Sequence, residues 1–175
     1  MSTKEAAGRS ATNGAERELV TTENGPAEGT ADTQNRELTI TRVFDAPREL
    51  VFETWTKPEH MVRWWGPRGF TLPVCEIDLR SGGVFRFVMR GPDGRDYPFD
   101  GVYLEIVPPE RIVFSGIIHD EPGHEVLTTV TFVEHEGKTK LTVHQTYSFE
   151  SDATRGAPEG WTQSLDRLTE YLAKA

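Results

Sequence analysis

Large apolar side chains are sparse over the first 35 positions and regular after them. In residues 1–35, Leu19 and Val20 are the only ones beyond the initial methionine, set among Ala, Gly, Thr, Asn and Glu. Such a stretch buries too little surface to offset the entropy of ordering it, and it reads as a disordered acidic arm ahead of the folded unit. From Arg36 the pattern alternates. Leu38, Ile40, Arg42 and Phe44 fall on one side of an extended chain and Glu37, Thr39, Thr41 and Val43 on the other, which predicts a strand over 36–44. The period then changes. Leu50, Val51, Thr54 and Trp55 recur at helical spacing behind Pro47, which suits a first helical turn, and Glu49, which complements the positive helix end. A short helix to about residue 55 follows. Thr56 and Glu59, three apart, read as a capping box opening a second short helix over 58–64.

A long β region comes next. Strands are predicted over 74–79, 84–90, 97–107, 111–118, 125–134 and 138–148. Their breaks are Ser81-Gly82-Gly83, Gly91-Pro92-Asp93-Gly94, Pro108-Pro109-Glu110, a polar loop over 119–124, and His135-Glu136-Gly137. With the strand over 36–44 this makes a sheet of about seven strands, an antiparallel meander with the first strand added at an edge. The chain closes in a helix predicted over 157–173. Trp161, Leu165, Leu168 and Leu172 form one stripe along it. Burying each of these side chains contributes roughly 1.5–3 kcal/mol, so the helix is expected to lie across the sheet. The chain is therefore read as an acidic tail over 1–35 and one α+β domain over 36–175.

Length and charge narrow the range of functions. A domain of about 140 residues buries roughly two-thirds of the surface its unfolded chain exposes, enough for a core without staples. The net charge of −9 and a pI near 5.1 lack the basic footprint that nucleic acid or an anionic membrane requires. No apolar run is long enough to span a bilayer, and the polar start carries no apolar signal-peptide region, so a cytoplasmic protein is expected. Cys75 is the only cysteine, so no disulfide forms within the chain, in keeping with a reducing compartment. Monomer and homodimer both remain open.

The adjacent Trp64 and Trp65 sit between a helix signal and the Gly66-Pro67 break. Rings of this size each remove roughly 150–250 Å² from water and need an apolar receptacle. Trp55, Trp64, Trp65, Phe85, Phe87, Tyr103, Phe114 and Trp161, with Met89, Leu165 and Leu168, are the candidates to line one. Phe85, Phe87 and Met89 share a strand face. Small-molecule pockets are mostly apolar with a few placed polar groups. The competing reading is that these side chains fill a closed core.

Polar candidates are few. Glu105 shares a strand face with Tyr103, Gly101 and Phe99. If that face is inward, Glu105 is a buried carboxylate with a raised pKa; if Val102, Leu104 and Ile106 face inward, it is a solvated edge residue. His144 lies beside Gln145 in the last strand, and whichever points inward could hydrogen-bond a ligand. The loop from His119 to Glu125 has neither His-Glu-x-x-His spacing on a helix nor paired cysteines, and reads as an exposed acidic turn. No metal or cofactor is expected. Cys75 opens a strand with no helix N-terminus or basic cluster beside it in sequence, which marks it as structural. There is no Gly-x-Ser-x-Gly elbow, and Gly82-Gly83 lacks the Lys-Ser/Thr of a phosphate loop.

Several segments in order carry a family resemblance. Phe44-Asp45-Ala46-Pro47 leads to Val51-Phe52-Glu53-Thr54-Trp55 and Arg63-Trp64-Trp65-Gly66-Pro67. Asp78-Leu79-Arg80-Ser81-Gly82-Gly83, Gly101-Val102-Tyr103-Leu104-Glu105-Ile106 and Pro108-Pro109-Glu110-Arg111-Ile112-Val113 follow, then Gly160-Trp161 with Leu165 and Leu168. From about Arg36 to the end, the chain resembles the bacterial relatives of the C-terminal domain of Aha-type activators of heat-shock protein 90 ATPase. These belong to the START-like, or SRPBCC, superfamily. The resemblance implies a helix-grip fold, a curved antiparallel sheet around a long C-terminal helix with two short helices after the first strand. Members of the superfamily bind lipids, sterols, plant hormones and polyketides under that helix; some are cyclases, and some protect their hosts against enediynes. Fold alone does not deliver function. Three expectations follow. The favoured one is non-enzymatic binding of a small hydrophobic or aromatic molecule, with access near residues 64–70, because aromatic supply is abundant and catalytic supply thin. The second is a chaperone-related module that meets a protein partner through its outside, although residues 1–35 are too short and polar to form the N-terminal domain of the eukaryotic activators. The third is a polyketide cyclase- or hydrolase-like enzyme, for which Glu105 with His144 or Tyr103 is the only acid–base pair to offer.

Overall fold

The alternation read from the sequence is the alternation found. In a computed structural model that describes residues 19–24, 36–119 and 121–174, β2 (Arg36–Phe44) buries Leu38, Ile40 and Phe44. Two helices follow, α1 (Arg48–Thr56) and α2 (Pro58–Met61), and then the meander: β3 (Thr71–Ile77), β4 (Val84–Arg90), β5 (Asp96–Val107), β6 (Arg111–Ile118), β7 (Glu125–His135) and β8 (Lys138–Tyr147). The helix α3 (Asp152–Ala173) ends the chain. Ahead of all these lies β1 (Leu19–Asn24). The described residues form one antiparallel sheet in the order β1-β2-β8-β7-β6-β5-β4-β3, so β2 joins the far end of the meander beside β8. This is the helix-grip architecture. Among the described residues no helix is long and apolar enough to cross a membrane.

Three details differ from the sequence reading. First, the sheet has eight strands, because residues 19–24 pair with β2 from Leu19↔Thr41 to Asn24↔Arg36. Leu19 is 67% exposed, so main-chain hydrogen bonds rather than burial hold this edge, and hydrophobic patterning gives no sign of it. The disorder expected for the remainder of 1–35 falls outside the described residues. Second, the Thr56–Glu59 capping box does not form. Thr56 Oγ1 donates to the Phe52 carbonyl at 3.1 Å inside the last turn of α1, Lys57 caps α2 without a side-chain bond, and α2 stops at Met61. Third, α3 starts at Asp152. Gly156, Pro158 and Gly160 obscure its first turns in the sequence, but Ser151 and Thr154 close a reciprocal capping box there, with Thr154 N–H donating to Ser151 Oγ at 3.3 Å and Ser151 N–H to Thr154 Oγ1 at 2.9 Å.

The core lies between the concave sheet face and the helices. Leu165 and Leu168 are fully buried in it, with Trp161 and Leu172 partly so. Gly101 and Gly116 stand opposite each other in the β5–β6 register. A Cβ at Gly101 would collide with the Ser115 carbonyl oxygen and meet Gly116 Cα and the Phe85 ring at 2.7 Å, and one at Gly116 would collide with the Phe99 ring. The first glycine admits the β6 backbone and the second seats the Phe99 ring.

Candidate functional site

The tryptophans condense into one cluster at the junction of α1, α2 and α3. Trp64 is fully buried, and its Nε1–H donates to the Thr54 carbonyl at 2.9 Å. Trp55 packs on Trp64 with ring centroids 4.8 Å apart and stacks on Trp161 at 5.8 Å and 15°. Trp65 meets Trp161 edge-on at 5.4 Å and continues the cluster to Phe87 at 5.2 Å. Offset and edge-on contacts of this kind are the favoured aromatic geometries.

Beside this cluster, a cavity of about 390 Å³ opens between the sheet and the N-terminal half of α3. Its origin is legible in the helix. The face that carries Leu165 and Leu168 farther on presents Ala153, Gly156, Ala157 and Gly160 in the first turns, and all four line the cavity. Small side chains there cannot reach the sheet, so the helix closes at one end and stands off at the other. Met89, Tyr97, Phe99, Ile118 and Val126 form the sheet wall; Trp65, Gly66, Pro67 and Phe70 form the lip.

The lip is tied to α3 by polar contacts. Arg167 Nη1 donates to the Gly66 carbonyl at 2.9 Å and to those of Trp65 and Pro67 at 3.3 Å each. Burial, and then the neighbouring Arg68, lowers the Arg167 pKa. Arg68 donates its backbone N–H to Gln163 Oε1 at 3.0 Å and pairs with Glu170 at 2.5 Å. Within the wall, Trp161 Nε1–H donates to Gln145 Oε1 at 3.1 Å, and Gln145 Nε2 donates to Thr128 Oγ1 at 3.0 Å.

Of the residues anticipated from sequence, Trp65, Met89 and Trp161 line the cavity. Trp55, Trp64, Phe85, Phe87, Tyr103, Phe114, Leu165 and Leu168 are buried in the core around it and are not among its lining residues. Two are displaced. Glu105 lies on the partly exposed side of β5 in an ion pair with Arg111, because a bulge between Tyr103 and Glu105 breaks the alternation. His144 is on the outer face, 3.6 Å from Glu37, while its neighbour Gln145 points inward. The acid–base pair offered from the sequence is thus not assembled, since Tyr103 is buried and the other two members face outward. In the loop read as an acidic turn, His124 Nδ1 lies 2.6 Å from Glu121 and its ring stacks on Phe149 at 4.3 Å. Burial pushes the Cys75 thiol up to about 11 and raises Tyr103 further. Tyr97 and Phe99 were missed as lining residues, although both share the inward face of β5 with Tyr103. Nothing in the sequence pointed to the small-residue face of α3 as a wall.

The sheet, the gripping helix and the space between them define a START-like domain. Residues 45–173 match the family model described as Activator of Hsp90 ATPase homolog 1-like protein, and the chain belongs to that family. Solved structures agree. Protein CV1439 from Chromobacterium violaceum is 29% identical, with a TM-score of 0.67 over 77% of this chain and 96% of that one. The AHSA1 (SPO3351) protein from Silicibacter pomeroyi is 27% identical, with a TM-score of 0.66 over 78% and 97%. The Q3J4M4_RHOS4 protein from Rhodobacter sphaeroides is 25% identical, with a TM-score of 0.71 over 87% and 98%. No curated protein matches the chain.

Proposed function

We infer that this protein binds a small hydrophobic or aromatic molecule in the cavity under α3 and does not transform it. One observation carries the reading: the helix face that seals the core with Leu165 and Leu168 changes to alanine and glycine where the cavity lies, leaving an aromatic-walled space instead of a filled core. Thermal unfolding of the full chain against fatty acids, sterols, flavonoids and aromatic polyketides tests it. A ligand at 100 times its dissociation constant adds about 2.7 kcal/mol of stability, a rise of several degrees. Ala157→Phe, which puts a ring into the space, is expected to keep the fold and abolish the shift. A well-folded protein that shifts with none of these compounds defeats the reading.

The family description supports a second reading, a module that meets a heat-shock protein 90 partner. Its surface would be the outside of the sheet, where Val84, Leu104, Leu127 and Val133 are exposed. The test is the ATPase rate of heat-shock protein 90 with and without the chain; an unchanged rate removes this reading.

A further inference from the structure

The cavity lining contains one buried side-chain amide whose hydrogen bonds are accounted for except in one place. Gln145 is 8% exposed. An indole N–H only donates, so the group facing Trp161 must be Oε1, and this fixes the orientation of the amide. Nε2 then donates one of its two hydrogens to Thr128 Oγ1, and among the described residues no second acceptor stands against it. A buried donor left unmade costs free energy that a ligand oxygen can recover.

Two other polar side chains of the wall are occupied or turned away, while Tyr97 and His119 line it with their rings 5.2 Å apart. Ser164 Oγ donates back to the Gly160 carbonyl at 2.9 Å. Asp152 is exposed at the helix start and paired with Arg155. Neither lysine nor arginine is among the lining residues. A carboxylate entering this space would lose its water without meeting the permanent charge of a lysine or arginine, whereas a neutral oxygen would need only a hydrogen such as the amide's.

Accepting that the cavity is the binding site, we propose that Gln145 is its specificity-determining residue, an amide donor that selects uncharged aromatic molecules bearing a hydrogen-bond-accepting oxygen and rejects carboxylates. The carbonyl or ether oxygen of the ligand lies against Gln145 Nε2, and its rings lie among Trp65, Phe70, Phe99 and Trp161.

Three probes of similar shape test this on the full chain at pH 8, by tryptophan fluorescence titration: methyl naphthyl ketone, naphthoate and ethylnaphthalene. The ketone is expected to bind roughly five- to tenfold more tightly than the hydrocarbon, the scale of one recovered hydrogen bond, and naphthoate more weakly than either. Gln145→Met removes the donor while nearly keeping shape, and is expected to bring the ketone and ethylnaphthalene to equal affinity. Should loss of the Trp161 acceptor unfold that variant, Gln145→Glu keeps the acceptor, removes the amide hydrogens and is expected to give the same loss of preference. Equal binding of ketone and naphthoate, or a ketone preference that survives in the folded variant, overturns the role of Gln145 and leaves the cavity reading standing. Binding of none of the three overturns both.

Discussion

Trp64 and Trp161 are both tryptophans of one cluster, yet they are held differently. Trp64 is sealed and hydrogen-bonded, so Trp64→Ala is expected to cost about 3–5 kcal/mol in urea unfolding. Trp161 gives part of its surface to the cavity, so Trp161→Ala is expected to cost less than Trp64→Ala while weakening ligand binding more. Cys75 makes a prediction in pH. Its thiol is raised by burial to about 11, so between pH 9 and 11 the unfolded chain loses that proton while the folded one keeps it. The folded state then binds more protons, and stability falls as pH rises through that window. Unfolding midpoints at pH 8.5 and 10.5 are expected to differ less in Cys75→Ala than in the parent. The sequence allowed Glu105 and His144 as cavity groups because single-strand alternation leaves the inward face open and a bulge resets it. For β8 the signal was present: Leu141 and Val143 share a face with Gln145, and two buried aliphatics set that face inward and the alternate one, with Thr142 and His144, outward.

The helix α3 shows how an element can be half legible. Its C-terminal stripe was plain, because Leu165 and Leu168 fall at helical spacing. Its first turns were not, because glycine and proline normally argue against a helix and the cap that overrides them is two polar residues in a polar stretch. Ser151→Ala is expected to cost roughly 0.5–2 kcal/mol, measured by chemical denaturation. The effect concentrates where α3 forms the cavity wall, so binding should suffer along with stability. Arg167 acts at the other end of the same wall. By collecting three carbonyls from residues 65–67 it holds the lip to the helix across about 100 positions of sequence. Arg167→Ala frees those carbonyls, and hydrogen exchange at Gly66 and at residues 68–70 is expected to accelerate, whereas exchange in β7 and β8 stays as it was.

Over the whole molecule, the sheet order followed from hairpins in series, and the curved sheet with its gripping helix from the family resemblance. What escaped was β1, since an exposed edge strand needs no hydrophobic period. Deleting residues 1–24 turns β2 into the sheet's edge and bares its hydrogen-bonding row. The expected result is a core with unchanged near-ultraviolet dichroism but faster aggregation on warming, followed by light scattering. The paired glycines of β5 and β6 act on the same scale. Gly101 admits the close approach of the β6 backbone, Gly116 lets Phe99 rest against the strands, and a methyl group at Gly116 would lift the Phe99 ring into the space under α3. The depth of the space is therefore gauged from beneath, by a hydrogen standing where a methyl would be, and a single-carbon change far from the helix would make it shallower.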